Sequence, residues 1–287
     1  MKRNPLTPVL VLAAALVTGG AARAAEPLSG FPEGETKPFH IELGGAFAAF
    51  DTQAGLGSQT GQGVGMMIDF EQFFGLSPNA TSFSGTGWWK WGKKSYVEVG
   101  YIGFNRTGSK TLTQDITWGQ YTIKANASME AAFKTREIYV GYRYDFWQDP
   151  RVRVSGTIGF GMTRITASLS ANGTVVLPDG SVLPQIVDSS FTVNGPIPLL
   201  GFDVDAAISK KVTVTLYLRG IGINLDEIAG NIVSSYLGVK WYFHPNLGVS
   251  GGLSADKQTL HRFVTGDYTA RASFVQSGAK LFVIGSF

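Results

Sequence analysis

The chain has 287 residues, 37 glycines, no cysteine and a formal net charge of +3. Absence of cysteine excludes disulfide frameworks, cysteine nucleophiles and cysteine-ligated metals. Lys2, Arg3 and Arg23 carry the positive excess: without them the 24 basic residues become 21, equal to the 21 acidic ones, so charge gives no case for a nucleic-acid partner.

Residues 1–25 read as a secretory signal peptide. A basic start (Lys2, Arg3) precedes an apolar run from Val9 to Val17 and then "ARAAE", with cleavage expected after Ala24 or Ala25. The apolar run is too short for a membrane helix, which needs about 20 residues. Residues 26–287 then form one domain. No later segment has such a run, so a membrane could be crossed only by a closed barrel, where every backbone group finds a partner.

Alternation with a period of two runs through this domain and predicts strands. Ten are expected, alternately up and down: 37–51, 81–91, 95–106, 131–147, 151–166, 191–208, 212–223, 232–243, 247–258 and 268–287. In "KVTVTLYLRG", Val212, Val214, Leu216 and Leu218 share one face, while Thr213, Thr215, Tyr217 and Arg219 share the other. Four connections are short, near residues 92–94, 148–150, 209–211 and 244–246. Those between them are long: 106–128, 168–190, 225–231 and 257–267. Strict short–long alternation, with strands of about 9–11 residues, is the layout of a transmembrane antiparallel up-and-down β-barrel in the outer membrane.

Aromatic residues gather before the short turns. Trp89, Trp91, Tyr144, Phe146, Trp241, Phe243 and Phe287 are expected to form a girdle at the membrane–water boundary. Phe287, Val283 and Leu281 face lipid in this reading. The terminal aromatic resembles the signal read by the outer-membrane assembly machinery, which is expected as a partner beside outer-membrane lipid and lipopolysaccharide. A monomer is expected.

The strand count has one alternative. In "GVGMMIDFEQFFGLSPNA", Val64, Met66, Ile68 and Phe70 alternate with polar positions, and "ITWGQYTIKA" could supply a companion strand, giving twelve. Otherwise these are extracellular extensions, or the first folds into the lumen. "PDG" (178–180) marks a turn between two apolar triplets, a hairpin above the membrane.

The block "IDFEQFFGLSPNATSFSGTGWWKWGKKSYVEVGYIGFNRTG" and the strand "FKTREIYVGYRYDFWQD" resemble a group of poorly characterised proteobacterial outer-membrane β-barrel proteins. That group usually has an acidic "EDDLGL"-like segment followed by an aromatic–basic turn. Glu71 to Leu76 occupy that place here with less acid. The resemblance implies fold and location, and no catalytic residue.

The polar faces converge on Glu42, Lys90, Glu98, Glu137, Arg143, Asp145, Arg151, Arg153, Asp203, Asp205, Lys240 and Lys280, the expected lumen lining. Tyr96, Tyr139, Tyr217 and Tyr242 lie on the same face. Their bulk favours a filled, salt-bridged lumen over an open pore. No phosphate loop, HExxH, GxSxG or metal-ligand spacing is present, so no cofactor or metal is expected. Three histidines remain. His40 and His244 belong to the periplasmic end, and only His261, with Asp256 nearby, reaches the outer end of a strand. The expected function is a non-enzymatic barrel with a structural, binding or narrow-channel role. Its rivals are a lipid-modifying hydrolase or acyltransferase using His261, and a soluble periplasmic β protein.

Overall fold

A computed structural model describes residues 30–58, 67–118, 121–177, 179–224, 228–265 and 268–287. The predicted signal peptide, 1–25, lies outside the described residues. Ten strands form the wall: β1 (Phe39–Ser58), β3 (Asn79–Lys90), β4 (Ser95–Thr111), β7 (Ser128–Gln148), β8 (Val152–Val176), β9 (Val182–Ser209), β10 (Val212–Asn224), β11 (Ile228–His244), β12 (Leu247–Thr265) and β13 (Tyr268–Ser286). Each pairs antiparallel with the next, and β13 returns to β1 in unbroken register from His40↔Ser286 to Ser58↔Tyr268. The fold is therefore a closed, ten-stranded antiparallel barrel. Closure gives β1 and β13 partners on both sides, which removes the edges an open sheet would expose.

The two doubtful stretches add no wall strand, so the twelve-strand alternative fails. "IDFEQFF" forms β2 (Ile68–Asp69), which pairs with Gln53 and Ala54, and then helix α2 (Phe70–Phe74). "ITWGQYTIKA" contains β5 (Ile116–Trp118) and β6 (Tyr121–Ile123), a hairpin attached to the upper end of β8 through Thr122↔Val176. Two- and three-residue strands cannot cross a bilayer core, which needs about 9–11 residues.

Two of the expected long loops are strand instead. Residues 168–190 continue β8 and β9 to a turn at Leu177–Ser181, where Gly180 takes a φ of +82°. Residues 257–265 continue β12. Strand β8 is 25 residues long and β9 is 28. The alternation does not stop at the membrane boundary; it changes sign. On β7, lipid-side Ile138, Val140, Tyr142, Tyr144 and Phe146 are exposed, and inward Tyr139, Arg143 and Asp145 are covered. Higher on the same strand the inward row is Met129, Ala131 and Phe133, all buried, and the outward row is Glu130, Lys134 and Arg136. The lower barrel is greasy outside and polar inside. The upper barrel is the reverse, as a wall in water must be.

Both mouths are filled. Above, Phe70, Phe74 and Leu76 sink into an apolar core with Met129, Phe133 and Leu169. Asp69 caps α2 by accepting from the Gln72 backbone N–H (2.8 Å), and Gly75 ends it at a φ of +64°. Below, helix α1 (Glu33–Thr36) enters the opposite mouth, burying Gly34 and Glu35. Gly34 lies so close to the Tyr242 ring that a Cβ would stand 2.3 Å from it.

Candidate functional site

The lower lumen is a stack of charged tiers. In the first, Glu35 of α1 is buried, with Oε1 accepting from the Tyr242 hydroxyl (2.9 Å) and Lys240 Nζ (3.1 Å), and Oε2 from Arg153 (3.0 Å). Burial pushes the Glu35 carboxyl up, but Lys240 and Arg153 outweigh it and hold the pKa at about 2, below the ordinary 4.5. Arg153 also donates to Asp205 (2.9 Å) and rests on the Phe31 ring (4.8 Å). Asp205 further accepts from Arg143 and Thr215. Tyr96 donates to Asp145 (2.8 Å), whose other oxygen takes Ser155 (2.7 Å).

Beside this lies an aromatic corner. Lys240 bridges from Glu35 to Glu42 (3.3 Å), with its ammonium 4.4 Å from the Trp88 ring centre. The His40 ring stacks on Trp88 at 3.6 Å, with Nε2 facing Glu42 (3.2 Å) and Nδ1 facing Ser286 (3.1 Å). In the next tier, Arg219 binds both oxygens of Glu98 (2.7 and 3.1 Å) and one of Asp203 (3.0 Å), while the Tyr139 hydroxyl donates to Glu98 (2.7 Å). Such networks offset the cost of removing ions from water only when nearly every donor and acceptor is engaged. A cavity of about 150 Å³ runs alongside these tiers, bordered by Glu42, Glu98, Arg219 and Lys240 and, higher up, by Glu137, Asp256 and Lys280.

Eleven of the twelve predicted lining residues point inward as the alternation requires. Lys90 and Lys280 lie against rings, Tyr96 (5.3 Å) and Tyr236 (6.0 Å). Glu137 accepts from Gln258 (3.4 Å). Arg151 is the exception: it lies in the turn ahead of β8, exposed, with its backbone N–H donating to Asp149 (2.7 Å). The residue ahead of β8 is free to follow the turn rather than the pleat. All seven girdle residues are exposed on the outer face, whereas neighbouring Trp88 faces the lumen.

Three participants are absent from the expected lining. Arg219 shares the polar face with Thr213, Thr215 and Tyr217, and His40 lies on the inward parity of β1, so period two could have added both. Glu35 precedes the first strand and has no periodic signal. Higher up, Arg106 is buried, donates to Glu71 and Thr52, and sits 4.2 Å from the Phe50 ring centre. The single acid of that segment thus holds α2 to the wall.

The predicted His261 site does not assemble among the described residues. Its ring is exposed and its polar neighbour is the Asn231 amide, at 3.4 Å. Asp256 faces the lumen and takes Gln276 (3.4 Å).

No family model matches the chain, and no curated protein does. Among solved structures it is similar to the outer membrane protease OmpT from Escherichia coli, with a TM-score of 0.55 and 12% identity over 87% of this chain and 96% of that one. Others are the outer membrane protein OprG from Pseudomonas aeruginosa (TM-score 0.34, 11% identity, 86% and 94% covered) and the P. putida toluene transporter TodX (0.32, 8%, 87% and 90%). At this identity the likeness to OmpT is one of fold, so the chain shares the fold of an outer-membrane β-barrel.

Proposed function

We propose that the protein is an integral, monomeric outer-membrane barrel that acts as a rigid scaffold for binding, with a sealed lumen and no catalytic group of its own. The sealing carries this reading. Salt-bridged tiers centred on Arg153 and Arg219 cross the lower lumen, and an apolar core fills the upper one. An ion would have to break several buried pairs to pass. The girdle and the apolar outer faces supply the contact with outer-membrane lipid.

Planar bilayers test the seal. Protein whose folded state is confirmed by its gel mobility before and after boiling should give no single-channel steps, and steady wild-type conductance would refute the sealed lumen. Replacing His261 with alanine should leave the cellular phospholipid and lipid A profiles unchanged.

A further inference from the structure

The barrel wall has a seam. Strands β9 and β10 pair from Ser209↔Val212 only as far as Leu200↔Gly220. Above that level β9 continues against β8 alone, up to Val182↔Val176, and β10 continues against β11 alone, up to Asn224↔Ala229. The cause is chemical. Ala207 donates its N–H to Arg151, on the β8 side, so even-numbered residues of β9 turn their backbone groups toward β10. The next two of these above Leu200 are Pro198 and Pro196. Neither has an N–H, so the ladder loses two consecutive donors where it stops.

An apolar pocket of about 90 Å³ opens at this seam. Its lining comes from both faces of the wall. Ile165, Ile197, Ile221, Ile232, Leu260 and Phe274 belong to the inward rows, whereas Pro196, Asn231 and Thr259 belong to the outward ones. The pocket therefore lies at the level of the wall itself, bordered by residues of the inward and the outward rows. Its mouth is at the top of the lipid-facing band. Exposed Phe160, Met162 and Leu200 lie just below; exposed Arg164 and Asn194, paired with each other, lie just above. The mouth therefore adjoins the outer-leaflet boundary between hydrocarbon and headgroup.

We propose that this seam is a binding site for one acyl chain of an outer-leaflet lipid, which enters between β9 and β10 and lies against the isoleucine-rich interior. Apolar cavities exclude water, and the pocket lies at the seam, beside a surface already covered by hydrocarbon. The headgroup remains outside, near Arg164 and Asn231. This proposal rests on the barrel lying in a membrane.

The test is photolabelling of the mature chain in phosphatidylcholine vesicles whose lipid carries a diazirine at one acyl terminus, with adducts located by mass spectrometry. Adducts are expected on Ile221, Ile232 or Leu260 as well as on outward Phe160 and Leu200. Adducts on the outward residues alone overturn the acyl site and leave the membrane reading intact. No adducts on either set overturn both. Interior labelling by a free diazirine fatty acid, with none from the phospholipid, also overturns the assignment to a lipid. The double variant Pro196→Val/Pro198→Val restores both donors. It should lower interior labelling at least tenfold with outward labelling unchanged, and undiminished interior labelling refutes the seam as the entry. Should that variant not fold, Ile232→Trp, which fills the pocket, is read in the same way.

Discussion

At the scale of single residues, Glu35 contributes most of what α1 does. Its folded pKa of about 2 is below the ordinary 4.5, so its ion pairs stabilise the fold fully above pH 4.5 and are lost as pH falls through 2. Glu35→Gln should lower the thermal midpoint at pH 7, because Lys240 and Arg153 lose a buried counter-charge, a change of about 3–5 kcal/mol in comparable pairs. The gap between wild type and variant should narrow on acidification toward pH 2, measured by circular dichroism melts in detergent; a gap independent of pH would exclude the ion pairs as its source. Gly34 serves the same contact sterically. Gly34→Val should displace α1 from Tyr242, read as faster hydrogen exchange across residues 33–36 with the wall strands unaffected.

At the scale of elements, the change of sign along β7 and β8 marks where the membrane ends. A charge placed within the outward apolar row should oppose insertion, and the same charge higher up should not. Val140→Lys is expected to cost about 2–4 kcal/mol if the site lies near the midplane, less toward the rim. Lys134→Val, on the same outward row above the boundary, should change stability by no more than about 0.5 kcal/mol. Urea titrations of the barrel in lipid vesicles measure both, and equal effects would refute the boundary near Arg136. Helix α2 is held to the wall by side chains rather than by ladder pairing. Phe74→Ala empties part of the upper core, a loss of about 3–5 kcal/mol for a buried phenylalanine. It should expose residues 67–76 to protease while the barrel still inserts.

At the scale of the whole molecule, the barrel is two environments stacked along one set of strands. The lower part meets lipid outside and is crossed by ion pairs inside; the upper part meets water outside and holds an apolar core. The seam between β9 and β10 lies where the two meet. Buried charge is tolerated in the lower part because the lumen is narrow enough for opposite walls to reach one another, as Arg219 does from β10 to Glu98 on β4.

Period two, turn length and aromatic placement are local properties, and each was readable from residues within one strand. They were enough to determine the antiparallel barrel, the outward girdle and the inward parity of Glu42, Glu98, Arg143, Arg153 and Lys240, and they left ten strands or twelve for the tertiary structure to decide. Strand ends were misplaced for β8, β9 and β12 because alternation was taken to end where its polarity reversed. Pairing across the lumen was not readable. Glu35 meets Arg153 at a separation of 118 residues and Tyr242 at 207, and neither neighbour is implied by local pattern. Those contacts depend on strand tilt and stagger, which are fixed only when β13 closes on β1. The sequence alone therefore determined which residues face inward, and only the closed tertiary structure decided which of them meet.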